Sequence, residues 1–168
     1  MNGDGSSASV AIVLGRAGSK GVPGKNIARV GGRPCAGWTI EHAMRSASIG
    51  RVVVSTDSAD LRALATEMGA EAIERPAELA HDRATIDDAA RHAARAIGVG
   101  PSTRIVILYA NVPVRPADLS DRALALLAES GCDSVQSYAP VGKHHPWWTA
   151  RLDGTGRVGP WEGDVLNH

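Results

Sequence analysis

The chain has 168 residues, with 18 lysines plus arginines against 18 aspartates plus glutamates, so no net charge recruits nucleic acid or an anionic membrane. That length fits one domain able to bury well over half of its unfolded surface, and Cys35 and Cys132 read as two ordinary core thiols of a reducing compartment, not as a disulfide framework. No apolar run approaches membrane-spanning length, and residues 1–9, polar and rich in Gly and Ser, lack the layout of a signal peptide; a cytoplasmic protein with a flexible N-terminal tail is expected.

The first element is an apolar β-rich run, Val10 to Leu14, and Trp38, Ile40, Ala43, Met44 and Ala47 then recur at helical spacing, with Trp38 expected in the core. A second strand is predicted over Arg51 to Ser55. It is followed by a helix between Ser58 and Gly69 that carries Leu61, Leu64, Ala65 and Met68, with Asp57 expected to cap it. Thr85 with Asp88 three residues on forms a capping-box pattern for a third helix. A strand over Arg104 to Tyr109 comes next, then a helix with Leu124 and Leu127 that stops at Gly131, and then a strand over Ser134 to Tyr138. Alternating strands and helices predict α/β architecture, with a mostly parallel sheet covered on both faces and ligands beyond the carboxyl ends of its strands. Residues 10–168 read as one domain, in which 142–168 lacks periodicity and is expected to form loops or short hairpin strands. The adjacent His144 and His145 lack the spacing and the third ligand of a zinc site.

The connection after the first strand, GRAGSKGVPGKN, carries three cations, Arg16, Lys20 and Lys25, four glycines and Ser19. Glycines let backbone N–H groups approach phosphate oxygens, and the cations neutralise them, so this composition suits a polyphosphate. It is not a Walker A loop, because Ser19 stands at the first glycine position and Asn26 follows Lys25. Nor is it the dinucleotide fingerprint, because Gly18 is followed by Ser19-Lys20-Gly21.

RAGSKGVPGKN resembles the RxGSKGxxxKN loop of the CMP-N-acylneuraminate synthetase (acylneuraminate cytidylyltransferase) family, with Arg16, Ser19, Lys20, Gly21, Lys25 and Asn26 in register. VVVSTDS from Val52, RPAELAHD from Arg75, the helix with Gly37-Trp38-Thr39-Ile40, and HHP from His144 are similar to later family blocks in the same order. The resemblance implies a three-layer, Rossmann-like nucleotide-diphospho-sugar transferase fold and transfer of CMP from CTP to an acidic sugar, with Mg²⁺ and a homodimer-forming arm. It also implies that Arg16 and Lys20 act at the phosphates with Ser19, Gly21 and Lys25, while Asn26, Arg75 and Ala84-Thr85 meet the cytidine. A surface ion pair with Glu71 or Glu78 is the other role open to Arg75.

Where the family usually shows LQPTSPLR this chain reads LYANVPVR, keeping Pro113 and Arg115 but placing Tyr109 and Asn111 toward the acceptor sugar. Trp148, after HHP and Trp147, would stack on a sugar ring or pack at a dimer contact. The family pattern is still running at Leu166-Asn167-His168, and relatives place a carboxylate pair for the metal further on. No metal ligands are therefore assigned in this chain, and weak or absent turnover by it alone is expected, unless Asp57 or Asp164 is recruited. The alternatives are a CTP-binding module without turnover, and transfer to 3-deoxy-octulosonate or a polyol phosphate.

Overall fold

A computed structural model of the chain describes residues 9–18, 21–81, 83–140 and 150–160, which divide between two compact units, Met1–Val135 and Gln136–His168. In the first unit, β1 (Ser9–Leu14) is buried along its whole length because it lies inside a parallel sheet with helices on both faces. After it come a two-residue hairpin, β2 (Arg29–Val30) and β3 (Arg33–Pro34), then α1 (Cys35–Arg45), β4 (Arg51–Thr56), α2 (Ala59–Glu67) and β5 (Glu71–Glu74). A 3₁₀ turn at Ala77–Leu79, α3 (Ile86–Ala96), β6 (Arg104–Tyr109) and α4 (Leu119–Ser130) complete it. The sheet order is β5-β4-β1-β6, with Ile12 in register with Val53 on one side and Ile107 on the other.

Alternation along β1 builds both cores. Ala11 and Val13 pack with Ile40 and Ala43 of α1 and Leu61 and Ala65 of α2, whereas Val10, Ile12 and Leu14 meet Ala89, Ala90 and Ala93 of α3. Each fully buried Val, Ile or Leu contributes about 1.5–3 kcal/mol, so this central strand is the main determinant of the layers. α3 uses alanines on its buried face and can therefore lie close to the sheet. The predicted apolar stripe of α1 is only partly buried: Ile40 and Ala43 are covered, while Met44 and Ala47 are exposed. Trp38 is half-buried, not core. It donates its Nε1–H to the Val30 carbonyl at 2.8 Å, and the Arg33 guanidinium lies 3.5 Å from its ring centroid, so it clasps the β2-β3 hairpin. Arg33 also pairs with Glu41.

Three further expectations are corrected. The segment Ser134 to Tyr138 forms no strand: apart from half-buried Val135 it is exposed and pairs with no strand among the described residues, and β-rich composition alone cannot hold an extended segment without an edge to join. Cys132 is exposed, and only Cys35 is buried; both are free. Asp57 does not cap α2, because the Ser58 hydroxyl takes that role by accepting the Leu61 N–H. The strand β5 was not anticipated, since two glutamates in four residues hide its pairing with β4 at the sheet edge. α4 stops at Gly131 as its pattern indicates. In the second unit, β7 (Ala150–Leu152) and β8 (Val158–Pro160) form an antiparallel hairpin.

Candidate functional site

The loop that leaves β1 begins with a close approach. A Cβ on Gly15 would lie 2.6 Å from Leu61 Cδ2 and 2.9 Å from Ala110 Cβ, so only glycine lets the chain turn between the ends of β4 and β6. Ala17 then donates its N–H to the Asp57 carboxylate at 2.8 Å, tying the loop to the residue after β4. Further along, Gly24 has φ +65°, and its carbonyl accepts the N–H groups of Ile27 and Ala28. The loop ends on α1. Pro34, at the helix N-terminus, gives no side-chain cap, and the backbone carbonyls of Ala28 and Asn26 accept from Cys35 and Ala36 instead. Lys25 and Asn26 are thereby fixed relative to the sheet.

Beyond the carboxyl ends of β1 and β6 lies a cavity of about 280 Å³. Arg16, Lys25 and Asn26 from the loop, Arg75 from the end of β5, Ala84 and Thr85 before α3, and Tyr109 and Asn111 from the end of β6 all line it. Eight residues singled out from sequence thus converge on one depression. Gly21 is exposed and away from it, and Ser19, Lys20, Trp148 and the His144-His145 pair lie outside the described residues. His81 lines the same cavity and was not assigned a role; its Nδ1 accepts the Arg83 N–H, which leaves Nε2 as the nitrogen able to carry the proton. A larger and shallower concavity of about 570 Å³ adjoins it, bounded by Asp57 and Glu74 and sharing Arg75 and His81. The smaller one holds the cations and the glycine turn, and is the better candidate for the chemistry.

Two buried polar groups define the floor. Asn26 is 5 % exposed; its Nδ2 donates to the Arg16 carbonyl at 2.9 Å, and its Oδ1 has no partner among the described residues. A buried acceptor left unpaired is costly, so a ligand donor is the natural partner. Arg75 is 7 % exposed and is not in an ion pair with Glu71, which Arg51 holds in a bidentate bridge. Its Nη2 donates to the Ser55 carbonyl at 2.6 Å and its Nε to the Ser55 hydroxyl at 3.3 Å. Burial pushes the Arg75 pKa down against the opposing pull of Asp57, a neighbour whose carboxylate favours the charged form. At the edge of the cavity, Thr85 caps α3: its hydroxyl accepts the Asp88 N–H at 3.1 Å and donates to the Asp88 carboxylate at 2.6 Å. The hydroxyl is thereby committed to the helix.

The site can therefore hold an anion along its cationic loop and a polar, flat group against Asn26 and Arg75. Among the described residues no three His, Cys, Asp or Glu side chains are grouped to hold a metal, and no helix is long and apolar enough to cross a membrane.

Comparison with known proteins shows the family and the fold. The profile of the family described as Cytidylyltransferase matches residues 10–151. The N-acylneuraminate cytidylyltransferase of Oncorhynchus mykiss is 33% identical over 140 residues, covering 82% of this chain and 31% of that protein. The protein of the same name from Escherichia coli O18:K1:H7 is 39% identical over 84 residues, covering 50% of the chain and 20% of the relative. The chain thus spans about a third or less of the length of these relatives. Among solved structures, CMP:2-keto-3-deoxy-manno-octonic acid synthetase complexed with CTP superposes with a TM-score of 0.64 at 20% identity, covering 75% of this chain and 49% of that one. A 4-diphosphocytidyl-2C-methyl-D-erythritol synthase gives 0.54 at 13% identity, covering 80% and 65%. At such identities these two likenesses concern the fold, which is the Rossmann-like fold of nucleotidyltransferases. With the motifs in register, the sheet order and a profile match over most of its length, the chain belongs to the cytidylyltransferase family.

Proposed function

We propose that this chain binds CTP in the cavity beyond β1 and β6 and serves transfer of CMP to an acidic sugar, an N-acylneuraminate or a related nonulosonate. The observation that carries the reading is the convergence of Arg16, Lys25, Asn26 and Arg75 on one cavity at the carboxyl end of a parallel sheet. In that reaction a sugar hydroxyl oxygen attacks the α-phosphorus; the new O–P bond forms as the α–β phosphoanhydride bond breaks, pyrophosphate leaves, and the hydroxyl proton passes to solvent or a base. Arg16 and Lys25, which the tied loop holds in place beforehand, neutralise charge on the phosphate oxygens, a role that Lys20 and Ser19 share in this reading. Asn26, Arg75 and the Ala84-Thr85 backbone take the cytidine, whereas Tyr109 and Asn111 face the acceptor.

Mg²⁺ is part of the proposal as a companion of the nucleotide's phosphates, where it would offset their charge. Among the described residues no three His, Cys, Asp or Glu side chains are grouped to hold it, and Asp57 is tied to the loop by accepting the Ala17 N–H. A second reading is that this chain binds CTP without turnover. We further propose a cytoplasmic protein acting as a homodimer, with CTP and an acidic sugar as its partners.

The test is calorimetric titration with CTP and UTP beside a pyrophosphate-release assay with N-acetylneuraminate, 3-deoxy-octulosonate and a polyol phosphate. CTP binding with release that depends on N-acetylneuraminate supports the main reading. Binding without release supports the second, release with another acceptor reassigns the sugar, and absence of CTP binding overturns the site.

A further inference from the structure

Arg115 sits just past the end of β6, half-buried, with its guanidinium turned back onto the chain that precedes it. Its Nη1 donates to the Val112 carbonyl at 2.6 Å and to the Thr39 hydroxyl at 2.8 Å, and its Nη2 donates to the Tyr109 carbonyl at 2.8 Å. Thr39 belongs to α1, is fully buried, and lies 3.1 Å from the same two carbonyl oxygens, to one of which its hydroxyl donates. Arg115 and Thr39 together therefore grip both ends of a four-residue turn, 109–112, against a helix 70 residues earlier in the chain.

The grip determines a direction. With the Tyr109 and Val112 carbonyls drawn toward α1, Ala110 is buried, its N–H bonded to the Leu14 carbonyl, and Asn111 is left on the cavity side, where it forms part of the lining with Tyr109. All the partners of Arg115 among the described residues are neutral. A half-buried cation that gains no ion pair is a costly way to satisfy two carbonyls, which makes sense where a rigid, planar set of donors is needed to shape a turn. Burial is the main cause holding its pKa down, and the neighbouring Cys35 opposes the shift only in part.

We propose that Arg115, acting with Thr39, is a positioning residue that fixes the 109–112 turn so that Asn111 and Tyr109 are presented to the acceptor substrate. The proposal rests on the cytidylyl-transfer reading for the identity of the acceptor, but the clasp itself does not. Arg115 touches neither substrate; it acts through the backbone.

The experiment compares the unaltered chain with Arg115→Met and Arg115→Lys in two measurements. Hydrogen exchange followed by NMR reads the clasp: Arg115→Met should speed exchange at the hydrogen-bonded amides of Ala110 and Val112 about tenfold and leave those of Ile12 and Val53 unchanged. Exchange that is unchanged at the turn, or faster everywhere, overturns the proposal. Pyrophosphate release reads the consequence. Arg115→Met should raise KM for N-acetylneuraminate about tenfold with KM for CTP within about twofold, and Arg115→Lys should recover part of the loss. Equal rises for CTP and acceptor, or no rise, overturn it. If the unaltered chain releases no pyrophosphate with any acceptor, it is the cytidylyl-transfer reading of this chain that fails, and hydrogen exchange still decides the clasp.

Discussion

The Asp57 carboxylate accepts the Ala17 N–H at 2.8 Å, joining the end of β4 to the loop that follows β1 across 40 residues of sequence. On the proposed reading Asp57 would act on CTP in two opposed ways: it fastens the cationic loop, and its negative charge would repel phosphate. The two can be separated. Asp57→Asn keeps an acceptor for Ala17 and removes the charge, so CTP should bind at least as tightly as before. Asp57→Ala loses the acceptor as well and should bind more weakly than the Asn variant by about 1 kcal/mol, roughly fivefold. Calorimetric titration of both variants checks this, and equal affinities would show that the hydrogen bond does not organise the loop.

Arg75 is expected to contribute more to selectivity than to stability. The Ser55 carbonyl that receives its Nη2 also receives the Gly15 N–H at 3.3 Å, so Arg75→Lys leaves that acceptor paired. The stability cost should be about 1 kcal/mol, a fall in Tm of roughly 2–4 °C. A lysine cannot reproduce a flat guanidinium beside the base, and the preference for CTP over UTP should fall about tenfold. Titrations with both nucleotides test it; an unchanged ratio accompanied by a large loss of Tm would make Arg75 a structural residue.

What could be read in the sequence was what repeats locally. The continuous apolar runs at Val10 to Leu14, Arg51 to Ser55 and Arg104 to Tyr109 are strands, and the four helices marked by helical spacing, a capping box or a glycine stop are all present. β5 was hidden because it is short, charged and paired only with β4, and Ser134 to Tyr138 misled because a short β-rich run with no partner among the described residues makes no strand. The lining of the cavity by Arg16, Lys25, Asn26 and Arg75 followed from ordered motifs, since a loop after a strand is delivered to the carboxyl end of the sheet whatever the details of packing. The ties from Asp57 to Ala17 and from Arg115 to Thr39 could not be read, because they span 40 and 76 residues and no local pattern encodes them.

A histidine between two helices gives the fold a dependence on pH. His42 of α1 lies 2.9 Å from the Ser120 hydroxyl of α4, and burial, reinforced by the Arg115 charge, pushes its pKa below the usual value against the pull of Asp121. The unfolded chain then binds a proton more readily than the folded one. The contribution of neutral His42 is complete above the unfolded value of about 6.5 and is lost as the pH falls from there through the lower folded value. Asp121, held below the usual carboxylate range first by the Ser46 hydroxyl, acts in a separate and more acidic window. His42→Gln keeps a polar partner for Ser120 without the titration. Thermal unfolding between pH 7.5 and 5.5 should therefore show a smaller fall in Tm for the variant than for the unaltered chain; parallel curves would remove His42 from the account.

The last prediction concerns the far edge of the sheet. Among the described residues β6 has a strand neighbour on one side only, β1, and Ile105, Ile107 and Tyr109 on one of its faces are 41%, 41% and 44% exposed. The layer that covers the same face of β1 is built on Ala89, Ala90 and Ala93 of α3, and it ends before β6. An unpaired edge six residues long, with β-branched and aromatic side chains at alternate positions, is a template for pairing with another strand. Pairing of two copies with Ile107 opposite Ile107 would put Ile105 opposite Tyr109 and make one continuous apolar stripe, because directly opposed residues of antiparallel strands share a face. This chain should accordingly self-associate as its concentration rises. Ile107→Lys should suppress the association, since a lysine on an edge strand disfavours pairing, and should leave Tm nearly unchanged, because the residue it replaces is already two-fifths in water. Val13→Lys, at a fully buried position of β1, is the contrasting variant and should unfold the domain. Sedimentation velocity over a range of concentrations, with thermal unfolding of each variant, makes the test: an unaltered chain that stays monomeric at every concentration, or association that persists in Ile107→Lys, rules out the β6 edge as the site of contact.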